Sequence, residues 1–221
     1  MANSKDDMKT ALGIQESQPT LWFETLYANS SKDGDGVPWA EMDTHPSFKS
    51  WLVQHPLDGR GKSALVVGCG VGDDAIALEA LGFDVTAFDV SASAIDYCKE
   101  RFPQSKVTFL QADLLEDQPQ WQRGFDFVLE IFTVQALPPM YERELISGIA
   151  GFVAPDGQLL VIAETSRTPR SYENGPPWLL TYQHVDAFAS HGLVVEGRLV
   201  EASDFEGADE LLTTVFRRPA E

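Results

Sequence analysis

Three alternate glycines and one downstream acid form the pattern in this sequence that is best suited to binding a charged ligand. Gly68, Gly70 and Gly72 directly follow the apolar run Ala64–Val67, and Asp89 ends the next apolar run. Glycine tolerates positive φ and lets the backbone approach a ligand closely. A carboxylate at the end of that second run is placed to accept hydrogen bonds from the hydroxyls of a ribose. The pattern therefore predicts a site for a nucleotide-like cofactor.

Regular elements on both sides hold these residues in place. The run Ala64–Val67 is short and contains β-branched residues, which favours a strand buried on both faces of a parallel sheet. Residues 73–81 are mostly good helix formers with Gly82 as a stop, and Val85–Phe88 form a second strand. This order predicts a β-α-β unit. The alternative is that the glycines serve only the structure of that unit.

The spacing of the glycines bears on which cofactor binds. Folds that bind dinucleotides use G-x-G-x-x-G, whereas this chain has G-x-G-x-G followed by Asp73 and Asp74. The two acids lie at the N-terminal end of the predicted helix, where a pyrophosphate would otherwise bind. They would repel a pyrophosphate but not a cofactor that carries an ammonium group, so the pattern disfavours a dinucleotide.

The stretch Ala64–Ser91 resembles the first motif of the class I S-adenosylmethionine-dependent methyltransferases. The resemblance implies that the cofactor is S-adenosyl-L-methionine and the product S-adenosyl-L-homocysteine. It also implies that the glycine loop holds the amino-acid end of the cofactor and that Asp89 holds its ribose. The cofactor contacts implied in this stretch are Gly68, Cys69, Gly70, Gly72, Asp89 and Val90.

A further acid follows the third predicted strand, Val107–Gln111. Taken alone, Asp113 is best explained as a solvated loop residue. At this place in the methyltransferase order, the resemblance implies that Asp113 binds the amino group of adenine. It also implies that the backbone amide of Leu114 meets the adenine ring, so we expect both residues among the cofactor contacts.

The N-terminal segment is rich in aromatic residues. Within Pro19–Ala28, Trp22 and Leu26 form one pair at i,i+4 spacing and Phe23 and Tyr27 form another, which predicts a short helix. A polar loop that contains glycine leads from there to Trp39. Two interpretations stay open. The aromatic side chains pin a helix against the core, or they form a lid that keeps water from the cofactor and the substrate.

This segment resembles the start of the thiol, halide and thiopurine methyltransferases, which begin with an aromatic helix and a Pro-Trp element beside the cofactor. Gly36–Trp39 and Gly175–Trp178 are similar to elements of those enzymes, whereas Tyr27 stands where a tryptophan is usual. The resemblance implies that Trp39 contacts the cofactor. We expect the acceptor pocket to be lined by Trp22, Tyr27, Phe132 and Trp178.

The fourth predicted strand, Phe125–Ile131, ends beside the reversal of strand order, where ligands of open α/β sheets bind. We therefore expect Glu130, Phe132, Thr133 and Gln135 to face the transferring methyl group. For Glu130 three roles stay open: a base, an offset for the positive charge of the sulfonium, or a partner of a backbone amide or an arginine.

Two residues beyond this strand join Glu130 as candidate catalytic groups. Tyr172 is expected to orient the acceptor through a hydrogen bond, and His184 is the histidine predicted nearest the acceptor, although a capping or packing role also explains it. No histidine is expected at the end of the fourth strand, which favours an acceptor that needs no strong base. The histidines and cysteines show no metal-ligand spacing, so no metal is expected.

The charge of this 221-residue chain limits its partners. Its formal net charge is −18 and its pI is about 4.4, which disfavours nucleic acid and anionic membranes because both attract basic patches. The two cysteines, the lack of a membrane-length apolar run and an N-terminus without the core of a signal peptide predict a cytoplasmic protein. We expect a small-molecule substrate, and the oligomeric state stays open.

These observations predict one α/β structural unit. Residues 61–221 should form a Rossmann-like sheet of seven strands with the last strand antiparallel, and residues 1–60 an N-terminal helical cap or lid. The predicted function is S-adenosylmethionine-dependent methyl transfer to a small soft nucleophile, with S-methylation of a small thiol as the first hypothesis. An O- or N-methyltransferase acting on a small metabolite and a non-catalytic cofactor-binding protein are the alternatives.

Overall fold

Seven strands form a single sheet in the computed structural model, which describes Lys9 and residues 13–31 and 34–220. Numbered in chain order, the strands are β1 (Ser63–Val67), β2 (Asp84–Asp89), β3 (Thr108–Gln111), β4 (Phe125–Ile131), β5 (Val153–Thr165), β6 (Val194–Ala202) and β7 (Glu210–Arg217). Their spatial order is β3-β2-β1-β4-β5-β7-β6.

The direction of the strands confirms the predicted architecture. The strands β1 to β5 pair in parallel, and β7 pairs antiparallel with both β5 and β6. The strand order reverses at β1, which pairs with β2 on one side and β4 on the other. The carboxyl ends of these three strands therefore meet at one edge of the sheet, where such folds bind ligands.

Helices cover both faces of the sheet. The α-helices, numbered likewise, are α1 (Leu21–Ala28), α2 (Pro46–Gln54), α3 (Asp73–Ala80), α4 (Ala92–Arg101), α5 (Glu142–Phe152) and α6 (Tyr182–Asp186). The helices α2, α3 and α4 bury apolar side chains against one face, whereas α1, α5 and α6 bury theirs against the other. Alternate residues of β1 belong to the two cores, since Val66 packs in the first and Val67 in the second.

Two element boundaries differ from the prediction. The run Ala154-Pro155-Asp156-Gly157 predicts a turn before a strand at Leu159–Ala163, but β5 already begins at Val153. The turn residues form an irregularity within the strand, because Asp156 has a φ of +61° and the register with β4 shifts there. Pro138 and Pro139 predict the start of a helix, but α5 starts at Glu142, since one 3-10 turn at Pro139–Tyr141 precedes it.

The N-terminal segment shares a core with the sheet. The side chains of Trp22 and Phe23 in α1 belong to the same buried cluster as Val67 in β1 and Phe88 in β2. Among the described residues, no helix combines the length and the apolar character that a membrane span needs. The same part of the chain contains no group of three or more histidine, cysteine or acidic side chains placed to hold a metal ion.

Candidate active site

The glycine loop connects β1 to α3 and takes a conformation that favours glycine at its three alternate positions. The φ angles of Gly68, Gly70 and Gly72 are +59°, +52° and +91°, a region that residues with a Cβ rarely adopt. A Cβ on Gly68 would lie 2.7 Å from the hydroxyl oxygen of Thr133. That hydroxyl donates to the carbonyl of Val67 over 3.1 Å. The loop and the end of β4 are therefore in close contact.

The two cysteines meet at this loop. Cys69 is half-exposed, Cys98 is buried, and the Cys98 thiol donates to the carbonyl oxygen of Gly70 over 3.2 Å. A hydrogen bond with Cys98, together with burial, raises the pKa of the Cys69 thiol. Cys69 is therefore protonated at neutral pH and is no poised nucleophile.

Asp89 lies at the carboxyl end of β2 with only 6% of its surface exposed. One carboxylate oxygen accepts from the backbone N–H of Gly70 and the other from that of Ser91, each over 3.0 Å. Burial raises the pKa of Asp89 to about 6, against the lowering effect of these two amides. A carboxylate offers roughly four acceptor positions, so Asp89 can accept further hydrogen bonds while it holds the glycine loop. The neighbouring Val90 is half-buried.

Asp113 follows β3 and contacts the N-terminal segment. Its carboxylate accepts from the backbone N–H of Leu115 over 2.9 Å and from the hydroxyl of Thr20 over 3.2 Å. The backbone N–H of Ala112 donates to the carbonyl of Asp89 over 3.0 Å, which joins the ends of β2 and β3. Leu114 is half-buried beside Asp113. Both residues thus lie on the same edge of the sheet as Asp89.

Four aromatic side chains from the N-terminal segment pack together over the glycine loop; we call Trp22, Phe23, Tyr27 and Trp39 the aromatic cover. Trp22 stacks on Phe23 with ring centroids 4.0 Å apart, and Trp39 meets both rings edge-on. The indole N–H of Trp39 donates to the hydroxyl of Tyr27 over 2.9 Å. Burial, and then the charge of Asp89, raises the pKa of Tyr27 well above its ordinary value. The aromatic cover therefore lies next to Asp89.

Glu24 fastens the aromatic cover to the sheet, a contact that no sequence pattern indicates. Its carboxylate accepts from the hydroxyl of Ser91 over 2.7 Å and from the hydroxyl and backbone N–H of Ser93 over 2.6 and 3.1 Å. These donors lie at the N-terminal end of α4, which favours an anion. Burial alone would raise the pKa of Glu24, but these hydrogen bonds lower it. Glutamate at a solvent-facing helix position gives no sequence signal for such a contact.

Glu130, near the end of β4, is 1% exposed. One of its carboxylate oxygens accepts from the backbone N–H of Val134 over 3.0 Å, and the other is buried without a hydrogen-bond partner. Burial raises the pKa of Glu130 to about 7, against the lowering effect of the backbone amides of Val134 and Thr133. The carboxylate of Glu130 is thus only partly satisfied by hydrogen bonds, and a nearby positive charge would favour its ionised form.

We expect the glutamine variant Glu130→Gln to remove a fall in stability that the wild type shows between pH 5 and pH 8. The folded-state pKa of about 7 lies above the ordinary 4.5, so the unfolded chain loses this proton first and the free energy of unfolding falls as pH rises. Relative to the variant, the wild type should lose about 2 kcal/mol over this range. Urea unfolding at several pH values measures this difference, and parallel profiles would contradict it.

The residues after Glu130 tie β4 to the strands beside it. The backbone N–H of Phe132 donates to the carbonyl of Ile162 over 3.1 Å. The side-chain oxygen of Gln135 accepts from the backbone N–H of Glu164 over 2.8 Å. The backbone carbonyl of Gln135 accepts from the backbone N–H of Trp178 over 2.7 Å. Gln135 is thus held between β5 and the segment around Trp178.

Tyr172, Trp178 and His184 lie in the segment after β5, each with a partner of its own. The hydroxyl of Tyr172 donates to the carbonyl of Ile14 over 3.3 Å, and its ring stacks on Trp178 with centroids 5.9 Å apart. Trp178 is 1% exposed and its indole N–H donates to the carbonyl of Tyr172 over 3.0 Å. The Nδ1 atom of His184 accepts from the backbone N–H of Thr181 over 3.0 Å. This contact makes His184 part of a capping box at the start of α6.

The prediction that no histidine lies at the end of β4 is wrong. His45 is the residue directly before α2. Its ring meets that of Phe132, which directly follows β4, edge-on with centroids 5.1 Å apart. Burial lowers the pKa of His45 to about 4, so its imidazole is neutral at neutral pH. The contact joins two segments that are distant in the sequence, and no local pattern announces it.

A surface cavity of about 580 Å³ lies apart from these groups, between α5, the loop after β3 and Arg218. Among the residues expected at the site, Leu114 alone lines it. Charged side chains of both signs line the cavity, namely the basic Arg123, Arg143 and Arg218 and the acidic Glu116, Asp117 and Glu144. It is therefore not the site formed by the glycine loop and Asp89.

Comparisons with known proteins agree with this geometry. Residues 64–157 match the family model described as a methyltransferase domain. The chain is 27% identical to thiocyanate methyltransferase 1 of Brassica oleracea over 162 residues, which is 68% of this chain and 67% of that protein. It is 31% identical to the ubiquinone biosynthesis O-methyltransferase of Rickettsia felis over 128 residues, which is 56% of this chain and 50% of that protein.

A solved structure shares the fold. The N-methyltransferase NodS from Bradyrhizobium japonicum, in complex with S-adenosyl-L-homocysteine, superposes with a TM-score of 0.67 at 20% identity, over 89% of this chain and 96% of that one. The matched family model covers β1 through the bulged start of β5, including the glycine loop, Asp89, Asp113 and Glu130. The matched residues 64–157 are a methyltransferase domain, the seven-stranded sheet has the Rossmann-like fold of the class I methyltransferases, and S-adenosyl-L-methionine is the cofactor.

Proposed function

We propose that this methyltransferase transfers the methyl group to a small soft nucleophile, and that its acceptor is the sulfur of a small thiol. The observation that carries the proposal is the close packing of the aromatic cover on the glycine loop. A Cβ on Gly70 would lie only 2.9 Å from the hydroxyl oxygen of Tyr27. An enclosure of this kind suits a compact acceptor and keeps water from the reacting atoms.

The residues of the loop fit the cofactor by their chemistry. S-adenosylmethionine supplies a methyl group that its sulfonium has already activated. We propose that Asp89 accepts hydrogen bonds from the ribose hydroxyls, that Asp113 and Leu114 hold the adenine, and that the glycine loop leaves space for the amino-acid end. The described hydrogen-bond donors to Asp89 and Asp113 are backbone amides and the hydroxyl of Thr20, and none of them is a basic side chain. Both therefore remain acceptors for a ligand's donors.

We propose that Glu130 offsets the positive charge of the sulfonium and does not act as the base. Its first carboxylate oxygen is held by the N–H of Val134, and its second is buried without a partner. A buried carboxylate without a cation nearby is costly to ionise. The sulfonium charge supplies that cation, so the same interaction favours binding of the donor and ionisation of Glu130.

Sulfur is the favoured acceptor for a chemical reason. A thiol has a pKa of about 8.5, far below that of an alcohol, so a weak base is enough to take its proton. His45, with a pKa of about 4, is a weak base that would not deprotonate an alcohol. The thiocyanate methyltransferase relative acts, by its name, on a sulfur anion. Because another relative is named an O-methyltransferase, methylation of an oxygen on a small metabolite is the second candidate function.

A panel of acceptors assayed with labelled S-adenosylmethionine tests the proposal. We expect the highest kcat/KM with a small aliphatic thiol or with thiocyanate, and much lower values with phenols, amines and halides of similar size. The matched comparison is a thiol and the alcohol of the same carbon skeleton, since they differ only in the attacking atom. A clear preference for the oxygen or nitrogen acceptor would reject the thiol assignment in favour of the second candidate.

A further inference from the structure

His45 lies between the two elements that border the methyl-transfer site. Its backbone N–H donates to the carboxylate of Asp74, in the first turn of α3 after the glycine loop, over 2.8 Å. Its ring meets Phe132, directly after β4, with centroids 5.1 Å apart. Thr133, the next residue, contacts the glycine loop at Gly68. The position of His45 is thus fixed to the loop and to the end of β4 at once.

One ring nitrogen of His45 has no partner. The Nδ1 atom is buried and makes no hydrogen bond, and the side chain does not cap the helix that it precedes. A buried polar atom without a partner costs free energy and calls for an explanation. A ligand that donates a hydrogen bond to this nitrogen would remove that cost, so Nδ1 is suited to receive one.

The backbone next to His45 is unusual in a way that supports a functional role. Phe132 has a φ of +61°, which is an outlier for a bulky side chain. Such conformations cluster at active sites and persist where the surrounding structure fixes them. Here the hydrogen bond from the N–H of Phe132 to the carbonyl of Ile162 fixes the backbone of Phe132. The strained residue is the one that His45 contacts.

The other candidate bases have partners already. The Nδ1 atom of His184 serves the capping box at Thr181, and the hydroxyl of Tyr172 donates to the carbonyl of Ile14. Glu130 has one oxygen on the N–H of Val134, and its proposed role is to offset charge. Among these side chains, His45 combines an open nitrogen with a ring held neutral by burial.

We propose that His45 is a catalytic residue whose Nδ1 atom takes the proton of the acceptor thiol. The proposal rests on the proposed function. As the thiol sulfur forms its bond to the methyl carbon, the bond from that carbon to the sulfonium sulfur breaks, and its electron pair stays on the departing thioether. The S–H proton passes to Nδ1 and then to water. The imidazole is weakly basic, but the proton becomes very acidic once the sulfur begins to carry positive charge.

The test compares two acceptors, because thiocyanate has no proton to lose and an aliphatic thiol has one. We expect His45→Ala and His45→Gln to lower kcat on the thiol by about 100-fold or more, the usual contribution of general base catalysis. On thiocyanate the same variants should change kcat by less than about 3-fold. The glutamine variant preserves volume and polarity, and thiocyanate turnover itself shows that either variant is folded. An equal loss on both acceptors, or no loss on the thiol, would overturn the assignment.

The control variant is His55→Ala at the other end of α2, where the ring nitrogen already pairs with the carbonyl of Trp51 over 3.1 Å. It should leave both reactions unchanged. A second readout needs no turnover: in nitrogen-15 NMR of the protein with S-adenosylhomocysteine, adding the thiol should shift Nδ1 of His45 and leave His55 unmoved. A wild type inactive on thiol and thiocyanate rejects the proposed function, whereas an active wild type with unselective variants rejects only the role of His45.

Discussion

Replacing Asp89 with alanine is expected to weaken the binding of S-adenosylhomocysteine by about 10- to 150-fold, because hydrogen bonds to a charged group contribute about 1.5–3 kcal/mol. The variant removes the acceptor that we propose for the ribose hydroxyls. It also frees the N–H of Gly70, which Asp89 holds over 3.0 Å, so the glycine loop loses an anchor. Isothermal titration calorimetry measures the change directly and does not depend on the identity of the acceptor.

Asp84 provides the matched control for this experiment. It is an exposed aspartate at the opposite end of the same strand, β2, so Asp84→Ala makes the same chemical change away from the ligand edge. We expect its affinity for S-adenosylhomocysteine to equal that of the wild type. If the Asp89→Ala protein is folded and binds as tightly as the Asp84→Ala protein, the assignment of Asp89 to the ribose is wrong.

Replacing Gly72 with alanine should lower the free energy of unfolding by about 2–5 kcal/mol, the sum of backbone strain and overpacking. At its φ of +91° a Cβ would lie 2.9 Å from the sulfur of Cys98 and 3.3 Å from the rings of Phe102 and Phe109. These neighbours belong to or pack against the buried cluster below the loop. Urea unfolding followed by circular dichroism measures the loss.

The variant Gly61→Ala separates the cost of backbone strain from the cost of overpacking. The φ of Gly61, +75°, is similar to that of Gly72, but a Cβ there would meet no heavy atom within 4 Å. Gly61→Ala should therefore show the strain alone, about 1–2 kcal/mol. Equal losses for the two variants would mean that the core below the glycine loop yields to a methyl group, contrary to the packing described here.

The sheet and the cofactor edge could be predicted from sequence because their signals are local. Short apolar runs indicate buried strands, and the glycines between Val67 and Asp73 mark the sharp turn that joins a strand to a helix. The acid at the end of β2 follows from the same pattern. Each of these features depends on residues close together in the chain, and the strand order then brings their carboxyl ends to one edge.

The contacts that complete the site are of another kind. Glu24 reaches Ser93, and His45 reaches Phe132, only after the N-terminal segment has packed on the sheet. No period or motif encodes such pairs, since each side chain is ordinary where it stands in the sequence. The backbone amide of Val134 is a similar case, because a 3-10 turn after β4 presents it to Glu130. Such a short turn leaves no periodic signal.

The attachment of α1 at Glu24 has a kinetic consequence. The aromatic cover rests on the glycine loop, and Glu24 fastens it to the residues that directly follow Asp89. We expect a ligand that reaches Asp89 to part α1 from the end of β2, so that the hydrogen bonds of Glu24 add to the barrier for its entry and release. If that opening is slower than methyl transfer, weakening the contact of Glu24 should raise the rate of product release.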